Sequence, residues 1–142
     1  RYHGSGGDFY EIFTMESDGS TQRRLPAQGY NCQSPSWSPE GDKLIFSCYA
    51  KEQSRRDPIE DIFSYDFSSD ELVNLTRTPD NREHEPSWSP DGRQIAYHRY
   101  HGSGGDFHEI FTMESDGSTQ RRLPAQGYNC QSPDWIAAEA EE

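Results

Sequence analysis

Apolar residues in this chain gather in short runs, each closed by Gly, Pro, Ser or Asp. Leu44-Ile45-Phe46, Ile95-Ala96-Tyr97, Asp61-Ile62-Phe63-Ser64-Tyr65 and Glu109-Ile110-Phe111-Thr112-Met113 are too short for helices and rich in β-branched and aromatic residues. Such runs predict strands. The punctuation predicts how they connect. In Trp37-Ser38-Pro39-Glu40-Gly41 and Trp88-Ser89-Pro90-Asp91-Gly92, Pro sets φ for a tight turn and Gly supplies the positive φ that folds the chain back. Ser115-Asp116-Gly117-Ser118 and Ser68-Ser69-Asp70 close a second hairpin further on.

The pattern repeats. Pro35-Ser36-Trp37 returns as Pro86-Ser87-Trp88 and begins again at Pro133-Asp134-Trp135, with steps of 51 and 47 residues. A period of that size, with four short antiparallel strands per unit, describes the blade of a propeller. Trp lies on strand a, Ile-Ala-Tyr on b, Ile-Phe on c, and Arg-Arg-Leu or Leu-Val-Asn-Leu on d. Trp37, Trp88, Trp135, Phe13, Phe63 and Phe111 are the expected core aromatics.

Trp88-Ser89-Pro90-Asp91-Gly92-Arg93-Gln94-Ile95-Ala96-Tyr97, followed by Glu109-Ile110-Phe111-Thr112-Met113, Asp116-Gly117 and Arg122-Leu123, resembles the TolB-type β-propeller repeat. The resemblance spans nearly the whole chain. It implies an all-β propeller used for binding, with no catalytic residues of its own and with a bacterial periplasmic setting. The sequence itself leaves localisation open.

Arg1–Trp37 and Arg99–Trp135 agree at 35 of 37 positions, differing only at Tyr10/His108 and Ser36/Asp134. Even the loops are copied, which points to recent duplication or deliberate construction, the second being favoured. The expected segmentation is a partial blade over 1–33 (strands c and d), full blades over 34–83 and 84–131, and strand a of a split blade plus tail over 132–142. About three blades do not close a ring. The chain is therefore expected to form a homo-oligomer, in the simplest case a dimer with six blades in its ring, in which one chain completes the split blade of the other.

Composition supports borrowed burial. Leu, Ile, Val and Phe are about 14% of 142 residues and the net charge is −12, a balance that by itself leans towards disorder. Aromatics at 13% and the repeat pattern argue for a folded chain. The acidity disfavours nucleic acid and anionic membrane as partners, and no apolar run is long enough to span a bilayer.

The long b–c and d–a connections gather on one propeller face, where binding is expected. Arg55, Arg56, Asp57, Arg82, His84, Tyr30 and Tyr128 are the candidate residues for a protein or peptide partner, set against the plainer reading of solvated loops with weak ion pairs. His98 and His101 are three apart on a strand and face opposite sides, so no metal site is expected. No cofactor motif and no catalytic constellation is present, and the expectation is a non-enzyme. Of Cys32, Cys48 and Cys130, the first two fall nearly opposite each other if strands a and b pair. Buried thiols are nonetheless favoured over a disulfide.

Overall fold

The computed structural model describes residues 2–3, 9–53, 58–101, 108–124 and 133–135. Every regular element among them is a strand: β1 (Tyr2–His3), β2 (Phe9–Tyr10), β3 (Phe13–Thr14), β4 (Arg23–Arg24), β5 (Tyr30–Trp37), β6 (Lys43–Ala50), β7 (Asp61–Asp66), β8 (Glu71–Asn74), β9 (Asn81–Trp88), β10 (Gln94–His101), β11 (His108–Glu114) and β12 (Arg121–Arg122). β5-β6-β7-β8 and β9-β10-β11-β12 are four-stranded antiparallel meanders, while β1-β2 and β3-β4 are two-stranded sheets. Both complete blades run a, b, c, d in chain order, as the repeat predicts.

The Ser-Pro-Asp/Glu-Gly turns hold by a repeated bond set. Gly92 N donates to Ser89 O at 2.9 Å, and the Ser89 hydroxyl accepts from Gln94 N at 2.9 Å. Gly41 N and Lys43 N bond Ser38 in the same way at 2.9 and 3.0 Å. Gly41 and Gly92 sit at φ of 75° and 69°, a region that Cβ-bearing residues enter only at a cost.

Each strand a is longer than its composition suggests, starting at Tyr30 and Asn81 rather than near Ser34 and Glu85. A bulge allows this. The a–b register skips between Gln33 and Ser36 and, in the next blade, opposite Ala96 and His98. Ser34 and Glu85 take φ of 53° and 50° there, each followed by a Pro that has no N–H for the ladder.

Two apolar layers form between adjacent sheets. The first joins Ile12 and Leu25 of the partial blade to Leu44, Phe46, Phe63 and Tyr65. The second joins Ile45, Ile62 and Leu75 to Trp88, Ile95, Tyr97, Phe111 and Met113. Period-2 alternation thus sends the two faces of β6 into different layers.

Two sequence expectations are corrected. Cys32 and Cys48 are Cα partners on β5 and β6 and form a disulfide rather than two thiols, with Cα atoms 4.2 Å apart. The a–b pairing brings them within bridging distance. Trp37 is not a core residue of this chain: it is 49% exposed, against 7% for Trp88. Trp88 packs in the layer with Ile45, Ile62 and Leu75 of the preceding blade. Phe63 and Phe111 are buried, while Phe13 and Trp135 are half-buried.

Candidate functional site

The bulges re-aim the start of each strand a towards the end of the preceding b–c connection. Glu60 and Arg82 form a parallel bridge there, and Glu83 N donates to Glu60 O at 2.7 Å. Charged groups are thereby drawn inward. The Glu60 carboxylate accepts from Gln33 Nε2 at 3.0 Å, and its second oxygen lies 3.0 Å from His84 Nδ1. The His84 and His98 rings are Cα-paired neighbours with centroids 5.1 Å apart, and His108 stands 5.0 Å beyond, edge to face. Tyr100 lies 5.2 Å from His108, with the Arg82 guanidinium 5.6 Å over the Tyr100 ring.

His98 is 5% exposed, and its Nδ1 is 3.6 Å from Glu85 Oε2, beyond hydrogen-bond distance. Burial, reinforced by His84, depresses its pKa to about 4, so its imidazole is neutral at pH 7. Behind this row lies Glu83, fully buried, with Arg99 Nε at 2.8 Å and the Thr78 hydroxyl at 2.9 Å. Burial pushes the Glu83 carboxyl up to about 7 against the pull of Arg99. Arg99 is itself held by stacking 4.1 Å over Phe111 and by a 2.9 Å bond to Gln120.

Glu83–Arg99 occupies the same blade positions as Cys32–Cys48, five residues before and eleven after the Trp. A covalent link in one blade is an ion pair in the next. The row of polar groups diverges likewise: Gln33/His84, Ser47/His98 and Tyr10/Glu60/His108 are equivalent positions.

Among the sequence candidates, the structure brings together Arg82 and His84. Tyr30 is half-buried and packs on Phe63 with centroids 5.1 Å apart, which makes it part of an apolar layer. Arg55, Arg56, Asp57 and Tyr128 lie outside the described residues. Sequence reasoning set His98 against His101; the structure instead unites His98 with His84 and His108 across strands. It also missed Glu60, Glu83, Arg99 and Gln33. The available signal was the contrast between blades, since these positions vary where the turn and strand frame is repeated. Among the described residues, no group of three or more His, Cys, Asp or Glu is arranged to hold a metal ion. The arrangement can present ordered donors and acceptors at the Asn81–Glu85 end of β9.

Comparison with known proteins fits this architecture. The chain is 30% identical over 130 residues to the Tol-Pal system protein TolB of Anaeromyxobacter dehalogenans (strain 2CP-C), covering 92% of this chain and 27% of that protein. It therefore spans about a quarter of the length of the curated relatives it matches first. The solved TolB-type protein from Agrobacterium tumefaciens superposes with a TM-score of 0.68 at 27% identity, over 92% of this chain and 42% of that one. The β-propeller domain of the Trilobed protease from Pyrococcus furiosus shares the fold alone, with a TM-score of 0.58 at 13% identity over 82% and 35% of the two chains. The family profile of the TolB beta propeller domain matches residues 5–139, and with two four-stranded blades in the repeat register the chain belongs to that family.

Proposed function

We propose that this chain works, without catalysis, as a propeller segment in protein–protein association, its open ends completing a ring of blades with a second copy in the simplest case. One observation carries this: Trp135 packs on strand a of the last complete blade, as the start of a further blade would. Trp135 Nε1 donates to Ser87 O at 3.1 Å, and Ser87 Oγ lies 3.5 Å from Asp134. This contact beside the last complete blade supports reading Trp135 as the Trp of a further strand a, with β1–β4 read as parts of strands b, c and d of another blade. Pairing the begun blade of one copy with the partial blade of another buries both ends. The acidic chain and its shortage of aliphatic residues make such burial valuable.

Light scattering at micromolar concentration tests this. A multiple of the 16.3 kDa chain mass is expected, reduced to the single mass by Met15→Asp or Leu123→Asp on the two open ends. A folded monomer at every concentration overturns it.

A second reading has its own support. Arg82, His84 and the neutral His98 lie in an ordered row across β9 and β10, which suits recognition of a protein or peptide segment. A partner whose binding survives Met15→Asp but is lost on His84→Ala, with the fold intact, would favour it.

A further inference from the structure

The orientation of His84 is fixed by a buried carboxylate between the two complete blades. Glu60 is 1% exposed, and its backbone is pinned to β9 by the bridge to Arg82 and by the 2.7 Å bond from Glu83 N to Glu60 O. Its two carboxylate oxygens have different partners. Gln33 Nε2 donates to Oε1 at 3.0 Å, and His84 Nδ1 lies 3.0 Å from Oε2. An amide nitrogen only donates, so Gln33 occupies one edge of the carboxylate and leaves the other to the ring. A carboxylate oxygen accepts, so the Nδ1 facing it carries the proton. In the neutral imidazole Nε2 then keeps its lone pair. The His84 side chain is 16% exposed, so part of the ring stays open to a partner. Beside it, His98 Nδ1 is buried with no hydrogen-bond partner, and a row that leaves a buried polar atom unbonded is not satisfied from within. Among the described residues, Glu60, Glu85 and Arg82 are the charged groups next to these rings, two carboxylates against one guanidinium. Glu83 and Arg99 are paired with each other behind them.

We infer that His84 determines what this row recognises: held by Glu60 and Gln33 as the Nδ1–H tautomer, it accepts a hydrogen bond at Nε2, and the group it takes from a partner is a primary ammonium, either the amino terminus or a Lys side chain of a peptide. An ammonium brings three N–H donors and a positive charge to a lone pair beside a surplus of carboxylate. A partner's carboxylate would set lone pair against lone pair and like charge against Glu60 and Glu85. Gln33 and Glu60 are positioning residues, which hold the ring without touching the ligand. The lock belongs to this pair of blades and not to the repeat frame. One blade earlier, Tyr10 and Gln33 occupy the positions of Glu60 and His84, and neither side chain can form a carboxylate–imidazole pair. The choice of ligand rests on the reading of this row as a surface that recognises a protein or peptide.

The test uses the whole chain, isotope-labelled at the histidine nitrogens, at pH 7.5. The ring signals of His84, assigned by their loss in His84→Gln, should show a protonated Nδ1 and a bare Nε2. Glu60→Gln, whose amide can turn a donor towards Nδ1, should lose that preference. The native spectrum decides the tautomer even where this variant fails to fold. Three capped or open peptides then probe the ligand: acetylated and amidated Gly-Gly-Lys-Gly-Gly, pentaglycine amide with a free amino terminus, and acetylated and amidated Gly-Gly-Glu-Gly-Gly. The two ammonium peptides should shift Nε2 saturably and bind at least tenfold more tightly than the Glu peptide, and the tighter of the two tells a lysine from an amino terminus. A bare Nδ1 with a protonated Nε2, or a ring protonated at both nitrogens, overturns the inference. A Glu peptide that shifts Nε2 at equal or lower concentration also overturns it, while leaving the recognition surface standing. No saturable shift at His84 with any of the peptides at millimolar concentration removes the recognition surface and the inference together.

Discussion

Gly19 and Gly117 hold the same repeat position and nearly the same backbone, with φ of 84° and 87°, but they differ in surroundings. A Cβ on Gly19 meets nothing within 4 Å, whereas one on Gly117 comes 2.6 Å from Leu75 O. Gly19→Ala should therefore cost about 1 kcal/mol, the penalty of the left-handed region. Gly117→Ala should cost about 1–3 kcal/mol more, because backbone rather than a yielding side chain is in the way. Urea titration of the two variants reads the difference, and equal losses would contradict the inter-blade contact. Glu83 makes the second residue-scale prediction. Its carboxyl is raised to about 7 from an ordinary 4.5, so the folded state holds the proton more tightly than the unfolded one. Its contribution is complete below the unfolded pKa and is lost as pH rises through 7. His98, lowered from 6.5 to about 4, works in the opposite sense: stability is lost as pH falls from 6.5 towards 4. The two partly cancel in the native protein. Comparison with Glu83→Gln isolates the first, and the native chain should gain on the variant by about 3 kcal/mol between pH 8 and pH 4.

The β5–β6 and β9–β10 hairpins show which parts of an element can be read ahead of the structure. Their turns were legible because Pro and Gly act locally, and so was the facing of Cys32 and Cys48 once strands a and b were paired. The choice of disulfide over thiols was not legible, since it depends on a 4.2 Å Cα approach that only the folded ladder fixes. Strand a was read too short because Asn31, Gln33, Ser34 and Pro35 have poor strand propensity; pairing with β6 overrides it. The site was less legible still. Glu60, His84, His98 and His108 come from four separate strand ends or strands, and no spacing along the chain announces them. The disulfide gives a direct prediction. Of the three cysteines, one thiol per chain should react with a thiol reagent in denaturant, and three after reduction. Reduction should cost about 2–4 kcal/mol, the range expected for closing a loop spanning 16 residues. Three reactive thiols before reduction would show that the bridge does not form.

At the scale of the whole molecule, the blade repeat makes Trp37 and Trp88 equivalent, and the array makes them unequal. Trp88, 7% exposed, sits in the layer with Ile45, Leu75 and Ile95. Trp88→Ala should cost about 3–5 kcal/mol, enough to unfold so lightly cored a chain. Trp37, 49% exposed and stacked on Phe67, should cost about 1 kcal/mol in the separate chain, the worth of one aromatic pair. The two values should not stay apart under all conditions. If another copy covers Trp37 as Ile45, Ile62 and Leu75 cover Trp88, then Trp37 contributes to a contact made only by the folded, associated state. Its loss is then linked to protein concentration. The destabilisation by Trp37→Ala should accordingly grow as chain concentration rises from nanomolar to tens of micromolar, while that of Trp88→Ala stays constant wherever it can be measured. Thermal unfolding across a dilution series reads both. A Trp37→Ala penalty independent of concentration would mean that no second copy covers the exposed indole, and that the Trp37 face is not where this protein associates.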